Sequence, residues 1–369
     1  MLKKLPHLLL FLLASSQAFG QATSSCTQTL RFAQSTYESG KLHELEAILN
    51  DGKCLTEGFN TEERRQAYKL LVQSYIYLEE PEKADAAMLS LLTTDQFFRP
   101  NPDVDPAEFV SLYNRFRTKP LFRYGAKLGP AFNAPLSTVD YYVGDAAEGS
   151  STFTPLVTFS IGVMFEKDFL KNQRLTLAPE VAFSSRGYTE SWVNSNAQQA
   201  GSAAETTPPT PATKGLMTIK IKSIDFNPLV KWWLSKDPAS RDQKIEPYAI
   251  GGPGINFVLS ASAEDAKLDQ VLNHKGTNTG PSVDATGIYH PVNFSAIAGA
   301  GARIRLSKVF VSADVRFNFG LNNVVNDKHR TNDELAFDYS WVTNSTFMNS
   351  VTINLALQLA YFSPKKMIK

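Results

Sequence analysis

The chain has 369 residues, with 37 basic side chains against 36 acidic ones and a formal net charge of +1. That balance gives no electrostatic basis for binding nucleic acid or a polyacidic partner. The texture changes near residue 118: Glu, Lys and Leu dominate before it, and Gly, Phe, Asn, Ser and Thr after it, which points to two domains.

Residues 1–20 carry Lys3 and Lys4, an apolar run from Leu8 to Leu13, and Ala18-Phe19-Gly20 with small residues at the two positions a signal peptidase reads. A cleaved secretory signal is expected, with the mature chain starting at Gln21. The apolar run is too short to span a bilayer stably, and no later stretch approaches the roughly 18 consecutive apolar residues of a membrane-spanning helix. If this chain enters a membrane, it does so with strands. Cys26 and Cys54 both follow the leader in exported chain, where disulfides persist, and a bridge between them is expected.

Residues 21–118 read as a small all-α domain of helical hairpins. Leu30, Phe32, Ala33, Tyr37, Leu42, Leu45, Ile48 and Leu49 give two short helical runs, with Gly40 as the C-cap between them. A second hairpin starts at Thr61, read as the N-cap, and its partner helix at Pro81-Glu82. Its first helix turns Ala67, Leu70, Leu71, Ser74, Tyr75 and Leu78 inward. Gly40, Leu42, Leu45 and Leu49, and then Leu71, Tyr75, Ala84 and Met88, align with two divergent tetratricopeptide-like repeats. A third helix follows Asp105-Pro106-Ala107-Glu108, where Asp105 is read as the cap, and ends near Arg117 before a hinge at 118–120. Stacked helical hairpins tend to hold partners, and Tyr68, Tyr75 and Tyr77 are the candidate partner-binding face.

From Leu121 onward the period is two. The clearest case is Val309–Phe319, where Val309, Val311, Ala313, Val315, Phe317 and Phe319 alternate with Ser312, Asp314, Arg316 and Asn318. Seven further segments follow this rule: 121–133, 153–166, 175–184, 216–234, 246–260, 292–304 and 351–362. The apolar parity of 216–234 switches between Ile221 and Ile224, which predicts a β-bulge near Ser223. Gly251-Gly252-Pro253-Gly254 interrupts the fifth segment and allows the wall to bend. Long connections at 134–152, 189–214, 261–290 and 321–346 alternate with short ones at 167–174, 235–244 and 307–308.

Long outer loops, short inner turns and an even strand count are the plan of an outer-membrane barrel. The fold class is therefore mainly β: an eight-stranded antiparallel transmembrane β-barrel over residues 119–363. A periplasmic helical domain precedes it, and a short periplasmic tail at 364–369 follows. Phe122, Tyr124, Tyr188, Trp232, Trp233, Trp341, Tyr361 and Phe362 are expected as interfacial girdles. Lys127, Glu180, Asp225, Lys231, Arg303, Arg305, Asp314, Arg316 and Gln358 fall on the inner face. A bore of eight strands is filled by side chains, so these charges are read as a self-satisfying ion-pair plug rather than a conducting path.

Little here suggests catalysis. His329, in Asn326-Asp327-Lys328-His329-Arg330 and followed by Asp333 and Asp338, offers an imidazole and carboxylates at a barrel rim, where a general base could activate water. Polar residues of this kind are also what solvated loops are made of. The glycine runs do not open a helix after a strand, and no cysteine and histidine cluster has zinc spacing, so no cofactor is expected. The loop at 197–215, with Thr-Pro-Pro-Thr-Pro at 207–211, is low-complexity.

Several motifs resemble one family, the PorT-like outer-membrane barrels of Bacteroidota. They are Tyr124-Gly125-Ala126-Lys127-Leu128-Gly129-Pro130, Pro179-Glu180-Val181 with Arg186-Gly187, Asp225-Phe226-Asn227-Pro228-Leu229, Pro247-Tyr248 with Gly252-Pro253-Gly254, and Gly299-Ala300-Gly301. The resemblance covers about residues 121–363. It implies an outer-membrane location and, for the founding member, a part in export by the type IX secretion machinery. The expected role is a non-enzymatic barrel whose partners are outer-membrane lipid and a periplasmic or outer-membrane protein. A narrow channel or ligand-binding barrel, and a rim hydrolase, are the alternatives.

Overall fold

The computed structural model describes residues 18–141, 151–169, 174–194, 213–234, 245–265, 282–306, 309–338 and 341–367. The leader up to residue 17, residues 197–212 of the low-complexity loop and the turns at 235–244 and 307–308 lie outside the described residues. Two compact units divide the chain: one holds the residues up to Pro120 and those from Phe362 onward, the other Leu121–Tyr361.

In the helical unit, α1 (Ala18–Glu38) closes at Gly40, whose φ of +78° favours glycine. There the Gly40 N–H donates to the Tyr37 carbonyl and the Lys41 N–H to that of Thr36. The chain returns through α2 (Leu45–Asn50), and Cys54 is disulfide-bonded to Cys26 of α1. The next helix, α3 (Thr61–Tyr77), is capped one residue earlier than expected. The Asn60 side chain accepts the Glu63 N–H at 2.9 Å, and the Glu63 carboxylate accepts the Asn60 N–H at 3.1 Å, a reciprocal capping box. Leu45, Leu49, Leu71, Met88 and Leu91 of these helices and of α4 (Pro81–Thr94) form the buried core.

The last helix, α5 (Ala107–Tyr113), corrects two expectations. Asp105 does not cap it, because its carboxylate already accepts the Asn101 N–H at 2.8 Å and pairs with Lys69. It also stops short of Arg117, because the following residues pair with the end of the chain. Phe116 bridges Lys366, the Arg117 N–H donates to the Lys365 carbonyl at 2.9 Å, and the Arg117 guanidinium donates to the Ser363 carbonyl. The short tail after the last strand is thus a strap of the helical unit, and Lys366 pairs with Asp85 of α4.

The second unit is one antiparallel sheet. Its long strands are β1 (Phe122–Val139), β3 (Val157–Asp168), β4 (Leu175–Asn194), β5 (Thr213–Trp233), β6 (Ile245–Asp265), β8 (Val292–Leu306), β9 (Val309–Gly320) and β10 (Ser345–Tyr361). The short β2 (Thr152–Pro155) and β7 (Val283–Asp284) pair with β4 and β6. Consecutive long strands pair, and β1 pairs with β10 from Phe122↔Tyr361 to Val139↔Ser345, so the ring is closed. Several strands outrun the stretch of outward apolar residues. On β4, Leu177, Val181 and Phe183 point out, and beyond them Ser185, Thr189 and Ser191 do.

The ring is apolar outside and polar inside. Leu128, Phe159, Val163, Phe317, Leu355 and Leu357 are exposed, whereas Lys127, Glu166, Lys231, Asp314 and Arg316 are buried. In water that distribution would be unfavourable twice over, since it exposes apolar surface and desolvates charge.

The bulge expected in β5 is displaced. Lys222 pairs with Ser260 and Ser223 with Val258, so the extra residue is Leu259 on β6, while β5 keeps one parity from Met217 to Trp233. Its apolar residues change side because Met217, Ile219 and Ile221 point into an apolar upper interior, and Lys220 and Lys222 point out. The glycine run does not break β6: its ladder with β8 is continuous from Ile245 to Phe257. Its register with β5, however, is interrupted between Phe226↔Ile255 and Val230↔Gly251. There Gly252 (φ +155°) leaves no room for a Cβ, which would sit 2.7 Å from the Pro228 carbonyl oxygen.

An outward apolar residue at mid-barrel separates a lipid-facing surface from a water-facing one. Leu355→Arg is expected to destabilise the barrel by about 2–4 kcal/mol in a bilayer. Urea titration of folding into vesicles measures it, and on a water-exposed surface the same change would stay within about 0.5 kcal/mol.

Candidate functional site

Inward parity assembles the expected charges into two connected clusters and one separate pair. The first centres on Glu166, whose carboxylate accepts from Arg123 at 3.1 Å, from Lys231 at 2.6 Å and from the Gln358 amide at 2.9 Å. Arg123 also pairs with Asp168, and Arg303 donates to Glu246 at 2.7 Å while its guanidinium stacks 4.0 Å from the Trp233 ring centroid. Lys231 sits 4.5 Å over the ring of Tyr248.

The second cluster centres on Arg316. Its guanidinium grips Glu180 with two hydrogen bonds, at 2.7 and 3.0 Å, and Asp314 with two more, at 2.6 and 2.9 Å. Lys127 completes the Glu180 end, and Tyr248 and Asn354 donate to Asp314 at 2.9 and 3.0 Å. Glycines on the same face make room: a Cβ at Gly299, opposite Arg316, would lie 3.0 Å from that residue's Cγ. Asp225 stands apart, held in a two-pronged pair by Arg186 at 2.7 and 3.1 Å.

Seven of the eight expected luminal charges are therefore buried and paired. Arg305 is only half-buried, two residues along β8 from Arg303. Arg123, Glu166, Asp168, Arg186 and Glu246 were not among them, although the alternation that found Lys127 and Glu180 also puts Arg123 and Glu166 inside. Wherever charges cross the bore, each carboxylate finds a cation, which offsets the cost of desolvating both.

Exposed aromatic side chains gather at one end of the ring, and three of the expected girdle residues lie inside it. Phe122 stacks on Tyr361 and Phe165, Tyr124 is exposed beside it, and Trp232 is exposed on β5. Trp233, Tyr188 and Trp341, expected in the girdles, are buried in the interior: the Trp233 indole donates to Thr176 and that of Trp341 to Glu190.

The three tyrosines proposed as a partner face do not share one. Tyr75 is buried, Tyr68 packs half-buried against the core, and only Tyr77 is exposed. Burial first, and then the nearby Glu46 carboxylate, push the Tyr75 hydroxyl up to about 12, so it stays neutral. The helical unit does carry a groove of about 470 Å³, walled by Ile76, Pro81, Ala84, Leu112, Arg115 and Lys366. His329 is exposed, and among the described residues no carboxylate is hydrogen-bonded to it; His274 lies outside the described residues. Among the described residues no group of three His, Cys, Asp or Glu side chains is placed to hold a metal ion, and no helix is long and apolar enough to cross a membrane.

Residues 115–326 match the family described as the outer membrane protein beta-barrel domain. The chain belongs to that family. Among solved structures, the barrel is similar to Neisserial surface protein A, at 11% identity over 65% of this chain and 97% of that one, with a TM-score of 0.32. The outer membrane protease OmpT of Escherichia coli matches at 11% identity over 65% and 96%, with a TM-score of 0.32. OprG of Pseudomonas aeruginosa matches at 8% over 66% and 98%, with a TM-score of 0.31. At that distance none of the three bears on what this barrel does. No curated protein matches the chain.

Removing one hub of the network strands its partners. Glu180→Ala leaves Lys127 and Arg316 as buried cations short of a counter-charge, and is expected to destabilise the barrel by about 3–5 kcal/mol. Urea unfolding in lipid vesicles checks this, and a loss below 1 kcal/mol would mean that water reaches the cluster.

Proposed function

We propose that this outer-membrane barrel is a non-enzymatic anchor, and that its helical unit is a periplasmic domain that binds another envelope protein. The observation that carries the reading is the route of the chain. It leaves the helical unit at Pro120, makes the closed ring, and re-enters the helical unit at Phe362. An even ring puts its first and last strands side by side with both free ends at one end, here Phe122 opposite Tyr361. The short connections lie at that end too, and short turns face the periplasm in this class of barrel.

Barrel and helical unit are thus built as one insertion, as a device for holding the helices at the membrane would be. The bore supports the same reading, because the charges inside it are engaged with one another in ion pairs. The resemblance to PorT-like barrels of Bacteroidota, and the tetratricopeptide-like spacing of the hairpins, favour a component of a secretion or envelope-assembly complex as the partner. The groove beside α4 and α5 is its proposed seat, in place of the tyrosine face read from the sequence.

Crosslinking in native membranes tests this. The full chain is expected to capture partners that a barrel lacking residues 21–118 does not. Equal recovery from both would locate the interaction on the barrel and end this reading.

A further inference from the structure

The helical groove has no occupant that its chemistry singles out. The luminal cavities, about 30 Å³ each, are water-sized rather than ligand-sized. The long loop between β9 and β10, by contrast, is fastened to the wall at a buried acid.

Above the apolar band, residues 321–338 and 341–344 turn back over the ring. Val324, Leu335 and Trp341 from this loop pack on Tyr188, Ile219 and Ile221 of the wall. Beneath them lies a small cavity of mixed lining, with Arg186, Ser223 and Asn293 on its polar side and Ile221, Val324 and Met348 on its apolar side. The loop is therefore a lid on the upper lumen.

One buried acid fastens it. Glu190 of β4 is 2% exposed. The Trp341 indole N–H donates to its Oε2 at 3.0 Å and the Asn344 amide to its Oε1 at 2.7 Å, and both donors belong to the lid. Every other buried carboxylate of the barrel unit, Glu166, Glu180, Asp225, Glu246 and Asp314, has a cation as partner. Among the described residues Glu190 has neutral donors alone. Glu190 lies seven positions beyond Phe183, the last outward apolar side chain described on β4, roughly 23 Å of extended chain, so it lies outside the membrane-spanning part.

We propose that this loop is a proton-controlled lid: it is held down by the neutral Glu190 carboxyl group and released when that group ionises. An anion enclosed with no counter-charge is costly, whereas the acid form or a solvated carboxylate is not. The surrounding groups do not compensate. Tyr188 and Tyr289 contribute neutral hydroxyls 3.4 Å apart, and Asp140, at the end of β1, adds a like charge. Arg330 of the lid pairs with Asp327 and donates to the Thr343 carbonyl at 2.8 Å and to Ser345.

Burial pushes the Glu190 carboxyl up to about 7, against the partial opposition of hydrogen bonds from Trp341 of the lid and from Ser151, which precedes β2. The sign follows. The closed lid binds the proton more tightly than the open one, so closure is strongest below the ordinary carboxyl range and is lost as pH rises through about 7.

Hydrogen exchange by mass spectrometry on the full chain in lipid nanodiscs reads this directly, with rates corrected for intrinsic pH dependence and residues 351–361 as the internal reference. Between pH 5.5 and 8.5, protection of residues 321–338 is expected to fall about tenfold or more, while that of 351–361 holds. Glu190→Gln, which cannot ionise and gives up one of the two lid hydrogen bonds, should show the same lid protection at both pH values, and Asp140→Asn should leave the fall intact. Equal wild-type protection at the two pH values overturns the proposal. So does a pH-dependent fall that survives in Glu190→Gln, or one abolished by Asp140→Asn.

Discussion

The ladder between the first strand and the last is the constraint on which everything else rests. Lipid offers backbone N–H and C=O groups no partner, so a sheet survives there only if it has no edge. Pairing of Phe122 through Val139 with Tyr361 through Ser345 removes the edge. It also commits the sequence to one alternation for the whole circumference, because a strand slipped by one residue would turn Arg316 and Asp314 toward lipid.

Once the ring is closed, the inside has to be solved as a small polar core. The bore is too narrow for bulk water to solvate the charges that alternation delivers to it. Sharing is the solution: Glu180 serves Lys127 and Arg316, and Glu166 serves Arg123 and Lys231. The Arg316 side chain also needs space, which Gly299 opposite it provides. Higher up, where the wall has left the apolar band, the rule inverts, and Ile219, Ile221 and Trp341 close the top as an ordinary apolar core.

That inversion explains what the sequence did and did not disclose. Period two was strong enough to find eight strands, their order and most luminal charges, since each depends only on local alternation. It failed where one assumption, polar in and apolar out, was carried past the bilayer. The switch at Ile221 looked like a bulge because an apolar interior above the membrane was not anticipated. Trp232 and Trp233 are neighbours on one strand and cannot both face lipid, so position near a strand end was a poorer guide than parity. In the helical unit, Tyr75 and Tyr77 likewise fall on different faces. The strap formed by the last residues, and Arg186 reaching Asp225 across strands, are long-range pairings with no local signature.

The claim that the outer face of the ring lies in lipid is tested most directly by nitroxide scanning along 351–359 in vesicles. Labels at 351, 353, 355, 357 and 359 should be accessible to oxygen and shielded from a water-soluble relaxation agent, and labels at the intervening positions should be shielded from both. Free access of the water-soluble agent to the odd positions would contradict the account.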